Sequence, residues 1–117
     1  MAERFYHIGA TPHAAPALAA GLHITATPIG NLGDVTLRAL ATLAAADVVL
    51  CEDTRVTSRL LERYGIKASM KPYHEHNAEA VRPAIIAALQ AGGAYALVSD
   101  AGVVAKICLK IPLNELK

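Results

Sequence analysis

Several things are scarce in this 117-residue chain. It has no Trp, one Phe and four Tyr, so a core must be built from Leu, Ile, Val and the abundant Ala rather than from large rings. Alanine favours helix but adds little buried area per residue. A chain of this length buries roughly two-thirds of its unfolded surface, enough for one modest domain. Neither charge sign dominates: 11 basic residues face 10 acidic ones, a formal net charge of +1. Such a balance gives no global electrostatic footprint for nucleic acid, so an RNA-directed role has to rest on local patches or on a partner. Cysteine is limited to Cys51 and Cys108. Cys51 sits in an apolar run, where a buried free thiol is the expected state, and nothing suggests a secreted disulfide scaffold. The start, Met1 to His7, has no apolar signal-peptide core. No apolar run approaches the roughly 18 residues that a bilayer span needs. A soluble cytoplasmic protein is the expectation.

What is present is a regular alternation. Residues 1–20 are Pro/Ala-rich without a stable period and read as a flexible leader. From Gly21, Leu22, Ile24 and Ala26 alternate with His23 and Thr25, the pattern of a strand. A turn rich in Pro, Gly and Asn follows over 27–34. Leu37, Leu40 and Leu43 then mark a helix over about 36–46, capped by Asp34 or Thr36. Asp47-Val-Val-Leu-Cys51 reads as a strand buried on both faces. A second helix carries Leu60, Leu61 and Tyr64, with Gly65 as its C′ residue. Residues 66–73 hold a short strand. Asn77 is placed to cap a third helix carrying Val81, Ile85 and Leu89, in which Pro83 forces either a later start or a kink. Gly92-Gly93 end it, and Tyr95-Ala-Leu-Val is a further buried strand. This order predicts an α/β fold, a mostly parallel sheet flanked by helices.

In such sheets ligands bind beyond the carboxyl ends of the strands, and three polar clusters fall there. The loop Pro28-Ile-Gly-Asn-Leu-Gly33 has glycines that let backbone approach a ligand, or is an ordinary turn; its spacing is neither a dinucleotide fingerprint nor a P-loop. Glu52-Asp-Thr-Arg55 offers two carboxylates and a guanidinium, for acid–base work on a hydroxyl-bearing substrate or for capping the helix that follows. Ser99-Asp-Ala-Gly102 offers Asp100 to a ribose or an amino group, or as a helix cap. Between them, His74-Glu-His76 could share one face of a strand, but no third ligand is apparent, so no metal is expected.

Taken together, Ala26-Thr-Pro-Ile-Gly-Asn-Leu-Gly-Asp-Val-Thr-Leu-Arg-Ala-Leu40, Cys51-Glu-Asp-Thr-Arg55, Tyr73-His-Glu-His-Asn77 and Leu97-Val-Ser-Asp-Ala-Gly102 resemble, in order, the N-terminal domain of the ribosomal RNA small-subunit methyltransferase I family, within the tetrapyrrole-methylase-like, class III methyltransferases. The resemblance covers about 21–102. It implies two α/β domains with S-adenosyl-L-methionine in the cleft between them, a homodimer, and methylation of the ribose 2′-oxygen of a cytidine in small-subunit (16S) ribosomal RNA. Carried over by position, Pro28, Ile29, Gly30, Asn31, Asp100, Ala101 and Gly102 would border the cofactor. Asp53, Arg55, His74, Glu75 and Asn77 would face the substrate, with Glu52 as the base for the 2′-hydroxyl. From Val103 the sequence departs from the family pattern, as a frameshift or truncation would make it. On that reading 103–117 is a divergent tail in which 103–111 could form a substitute strand, the cleft has one wall, and the copy is incomplete, with weak or no activity. The alternative is a non-catalytic α/β remnant serving as a binding or dimerisation module.

Overall fold

The structure is a computed structural model that describes residues 4–28 and 31–99. The Ile29, Gly30, Asp100, Ala101 and Gly102 assignments, Cys108 and the tail from 103 lie outside the described residues.

The apolar alternation from Gly21 produces β3 (Gly21–Ala26), followed by a short 3-10 turn (Leu32–Asp34) and α1 (Leu37–Ala45). The remaining elements are β4 (Val48–Cys51), α2 (Thr54–Arg63), β5 (Met70–Pro72), α3 (Ala78–Gln90) and β6 (Ala94–Ser99). Ahead of them stand two short strands, β1 (Phe5–Ile8) and β2 (Thr11–Ala14). The main sheet has the order β3-β6-β4-β5, and each neighbouring pair is parallel. Side-chain alternation divides its residues between two layers. Val48 and Leu50 of β4 and Tyr95 and Leu97 of β6 pack with Tyr73 against Ala78, Ile85 and Leu89 of α3. Val49 and Ala96 point the other way, into Leu40 and Leu43 of α1 and Leu60 and Leu61 of α2. All four residues of β4 are buried, which accounts for its unbroken apolar run. β3 is an edge strand, and its Ile24 is 59% exposed.

Local chemistry sets the element ends. Thr36 caps α1 by accepting from the Ala39 N–H at 3.0 Å, which decides between the two expected caps. Gly65 follows α2 with φ +60°, a left-handed C′ conformation. A side chain there would also meet His7, since a Cβ would lie 2.5 Å from its Nδ1. α3 begins at Ala78 and runs through Pro83, so its start is not delayed. Pro83 and Glu79 are both exposed, so water can satisfy the Glu79 carbonyl that a proline leaves without its helical donor.

Two expectations need correcting. The leader is not structureless over its length: β1 and β2 form an antiparallel hairpin, Ile8 opposite Thr11, turned at Gly9 with φ +60°. It docks on the rest of the fold. The His7 N–H donates to the Tyr64 carbonyl at 2.6 Å, Arg4 donates to the Ala45 carbonyl at 2.6 Å and pairs with Asp47 at 3.1 Å, and Tyr6, Ala15 and Leu18 pack on the α1–α2 layer. Pro12 is tolerated because a two-stranded ribbon is all edge. Asn77 likewise occupies the N-cap position of α3 but makes no capping bond there; its side chain is used elsewhere. No described helix is long and apolar enough to cross a membrane.

Candidate functional site

Parallel register brings the functional loops together. Ala26 pairs with Ser99, Leu97 with Leu50, and Cys51 with Pro72. The four strands therefore end along one edge of the sheet, and the segments after Ala26, Cys51, Pro72 and Ser99 emerge side by side. Of the 27–34 loop, the described part is internally braced. Asn31 Oδ1 accepts from the Gly33 N–H at 3.0 Å and Nδ2 donates to Asp34 at 3.4 Å. Tyr64, at the end of α2, donates its hydroxyl to the Leu32 carbonyl at 2.8 Å. The loop is thus tied to the body of the domain some 30 positions further on.

At the β4 and β5 ends, a groove of about 430 Å³ is lined by Glu52, Asp53, Thr54, Arg55, Pro72, His74, Glu75 and His76. It unites two motifs that are some 20 residues apart in sequence. Within it, Asp53 caps α2, accepting from the Arg55 N–H at 3.0 Å, and its oxygens face Nε and an Nη of Arg55 at 3.4 Å. The Arg55 guanidinium, with the same residue's backbone N–H, holds the Asp53 carboxyl below the usual carboxylate range. Both readings of this motif therefore meet in one place: Asp53 is the helix cap, while the Arg55 side chain, 86% exposed, projects into the groove. Behind it, Cys51 is fully buried; burial pushes its thiol up, with a Thr57 hydrogen bond opposing.

The His74-Glu-His76 segment is a turn rather than a strand. Its imidazoles do not stand in parallel on one face but meet edge to face, with centroids 5.9 Å apart. The His76 N–H donates to His74 Nδ1 at 3.2 Å. Asn77 does not line the groove; it holds the turn from behind. Its Oδ1 accepts from the His74 N–H at 2.8 Å and its Nδ2 donates to the Pro72 carbonyl at 2.9 Å. His76 was not singled out from sequence as a site residue, because strand alternation gave it the same standing as His74 and the turn that swings it inward has no Gly or Pro to announce it. Among the described residues no group of three or more His, Cys, Asp or Glu could hold a metal.

A second, larger groove of about 750 Å³ lies along β3 and α1. Its lining includes His23, Thr25, Ala26, Thr36, Arg38 and Thr42.

Residues 21–104 match the family model described as Tetrapyrrole (Corrin/Porphyrin) Methylases. Curated relatives named ribosomal RNA small subunit methyltransferase I are also similar. That of Mesorhizobium japonicum is 59% identical over 95 residues, covering 81% of this chain and 32% of the relative. That of Rickettsia prowazekii is 45% identical over 85 residues, covering 73% and 30%, and that of Escherichia coli O157:H7 is 49% identical over 81 residues, covering 69% and 28%. The chain thus spans about a third of the length of these relatives. With four parallel strands delivering their loops to one edge and a family match over most of its length, the chain belongs to the tetrapyrrole methylase family.

Proposed function

We propose that this chain forms the N-terminal domain of an S-adenosyl-L-methionine-dependent methyltransferase acting on the 2′-oxygen of a cytidine in small-subunit ribosomal RNA. The observation that carries the reading is the convergence of Glu52, Asp53, Arg55, His74 and Glu75 in one groove at the carboxyl edge of the sheet, in a chain whose relatives carry the rRNA methyltransferase name. Pro28, Ile29, Gly30 and Asn31, with Asp100, Ala101 and Gly102, would hold the cofactor. The residues present suit it: the Ala26–Ser99 pairing starts both segments from adjacent strand ends, and the first loop carries a glycine for close backbone approach. When bound, the cofactor supplies an electrophilic methyl group on a sulfonium.

The protein's part is alignment and proton handling. Holding the ribose hydroxyl in line with the methyl carbon supplies most of the advantage. Glu52 is exposed at the groove mouth, and its carboxylate would take the 2′-hydroxyl proton as the oxygen–carbon bond forms. Arg55 would sit against a backbone phosphate. The family resemblance further supports a homodimer working in the cytoplasm.

The test is a chimera in which residues 21–99 replace the matching segment of the E. coli O157:H7 relative. The expected result is methyl transfer to small-subunit rRNA, found by mass spectrometry as 2′-O-methylcytidine, with Glu52→Gln reducing kcat about 10²-fold or more. A folded chimera without transfer, beside an active parent, overturns the reading.

A further inference from the structure

The His76 N–H can donate to His74 Nδ1 only if that nitrogen carries no proton. His74 is therefore the neutral tautomer with its proton on Nε2, and its backbone is fixed by Asn77. The groove thus contains a neutral, oriented N–H donor. Directly beside it in the chain is Glu75, a carboxylate with about four acceptor positions, so it can accept a further bond whatever else it contacts. Both residues line the groove. A single N–H donor next to a carboxylate acceptor complements a ligand edge with an acceptor next to an amino group. Cytosine has that edge, N3 beside N4–H₂; uracil carries the reverse, N3–H beside O4. Unstacked RNA bases are read on this edge, and carboxylates accept from cytosine N4. A charged donor for phosphate is already available in Arg55, which leaves the neutral one to the base.

We propose that His74 and Glu75 form a base-reading pair that selects cytosine over uracil, with Asn77 as its positioning residue. This inference rests on the RNA-methyltransferase reading of the groove. The volume of about 430 Å³ accommodates a pyrimidine nucleoside.

The experiment uses the full chain, ¹⁵N-labelled at histidine. Long-range ¹H–¹⁵N spectra near pH 7.5 report the tautomer of His74, and titration with cytidine and with uridine, which share the ribose and lack phosphate, reports selectivity. The expected result is an Nε2–H tautomer and a His74 ring shift that saturates with cytidine at a concentration at least about fivefold lower than with uridine. Glu75→Gln, whose amide both donates and accepts, should bring that ratio close to one. Asn77→Asp keeps the acceptor for the His74 N–H but loses the bond to Pro72, and should weaken cytidine binding while the tautomer persists. An Nδ1–H or doubly protonated His74 overturns the proposal. Equal response to both nucleosides also overturns it, while leaving the RNA reading of the groove standing. No response of any groove residue to either nucleoside removes the groove as the substrate wall, and both readings fall together.

Discussion

Asp47 and Ala94 are tied to each other twice. The Asp47 N–H donates to the Ala94 carbonyl at 2.7 Å, and Asp47 Oδ2 accepts the Ala94 N–H at 2.9 Å. The two residues begin β4 and β6 at the amino edge of the sheet, opposite the functional loops. Arg4, arriving from the hairpin, completes the arrangement through Oδ1.

This predicts an acid-sensitive domain. The Ala94 N–H, then Arg4, hold the Asp47 carboxyl below its ordinary value, and Arg55 does the same for Asp53. A depressed folded-state value means that the ionised form is favoured by folding. The stabilisation is fully present above the unfolded carboxylate range, near pH 4, and is lost as pH falls through the folded-state values. Urea denaturation at pH 7 and at pH 3 should show the loss. Asp47→Asn should lower stability at pH 7 by about 0.5–1 kcal/mol, the figure for a charge-assisted bond being reduced for a side chain 47% exposed, and should flatten the pH dependence.

Gly65→Ala should destabilise the domain through two separable effects. The left-handed backbone costs about 1–2 kcal/mol for any residue with a Cβ, and the new methyl group would collide with His7. Adding His7→Ala should recover the second part and not the first. Denaturation of the two single variants and the double variant measures the coupling, and strict additivity would show that the two residues do not meet.

Leu43 is fully buried in the α1–α2 layer. Leu43→Ala should cost about 2–5 kcal/mol, read from the denaturation midpoint with an unchanged slope. In a domain of this size that is a large share of the total stability.

Asp53→Ala and Arg55→Ala should part company. Removing the cap of α2 should cost about 1 kcal/mol of stability. Arg55→Ala should leave thermal stability nearly unchanged, because its exposed ion pair contributes little, yet should weaken binding of single-stranded RNA and reduce its salt dependence. Fluorescence anisotropy at two salt concentrations decides this.

Tyr64→Phe should cost about 0.5–1.5 kcal/mol by removing one hydrogen bond. Because the lost acceptor is the Leu32 carbonyl, the effect should appear as faster amide exchange at Leu32 to Asp34, with the β4–β6 amides unaffected.

Much of this architecture was legible in the sequence because it depends on local signals. The unbroken apolar run Val48-Val-Leu-Cys51, the Leu37-Leu40-Leu43 spacing and the Gly65 stop each specify an element by themselves. The hairpin was not legible. Phe5 to Ile8 is too short to show a period, Pro12 argues against a strand, and what stabilises both is docking on residues 45, 47 and 64, which no local window contains. The site was half legible. The clusters at the strand ends stood out, but their union in one groove depends on β4 and β5 being neighbours. The division of labour between Asp53 as cap, Arg55 as exposed cation and Asn77 as brace depends on bond partners that spacing does not encode.

The sheet order carries a consequence for how the chain is assembled in time. Within the described sheet, β3 pairs with β6 and with no other strand, although β6 is made last. During synthesis, β3 can remain unpaired while α1, β4, α2, β5 and α3 are produced, and its pairing closes a loop of about 70 residues, the kind of non-local contact that slows folding. Until residue 99 has emerged, the strand that leads into the first functional loop has no described neighbour, so that loop can take its place at the sheet edge only after nearly all of the described chain exists.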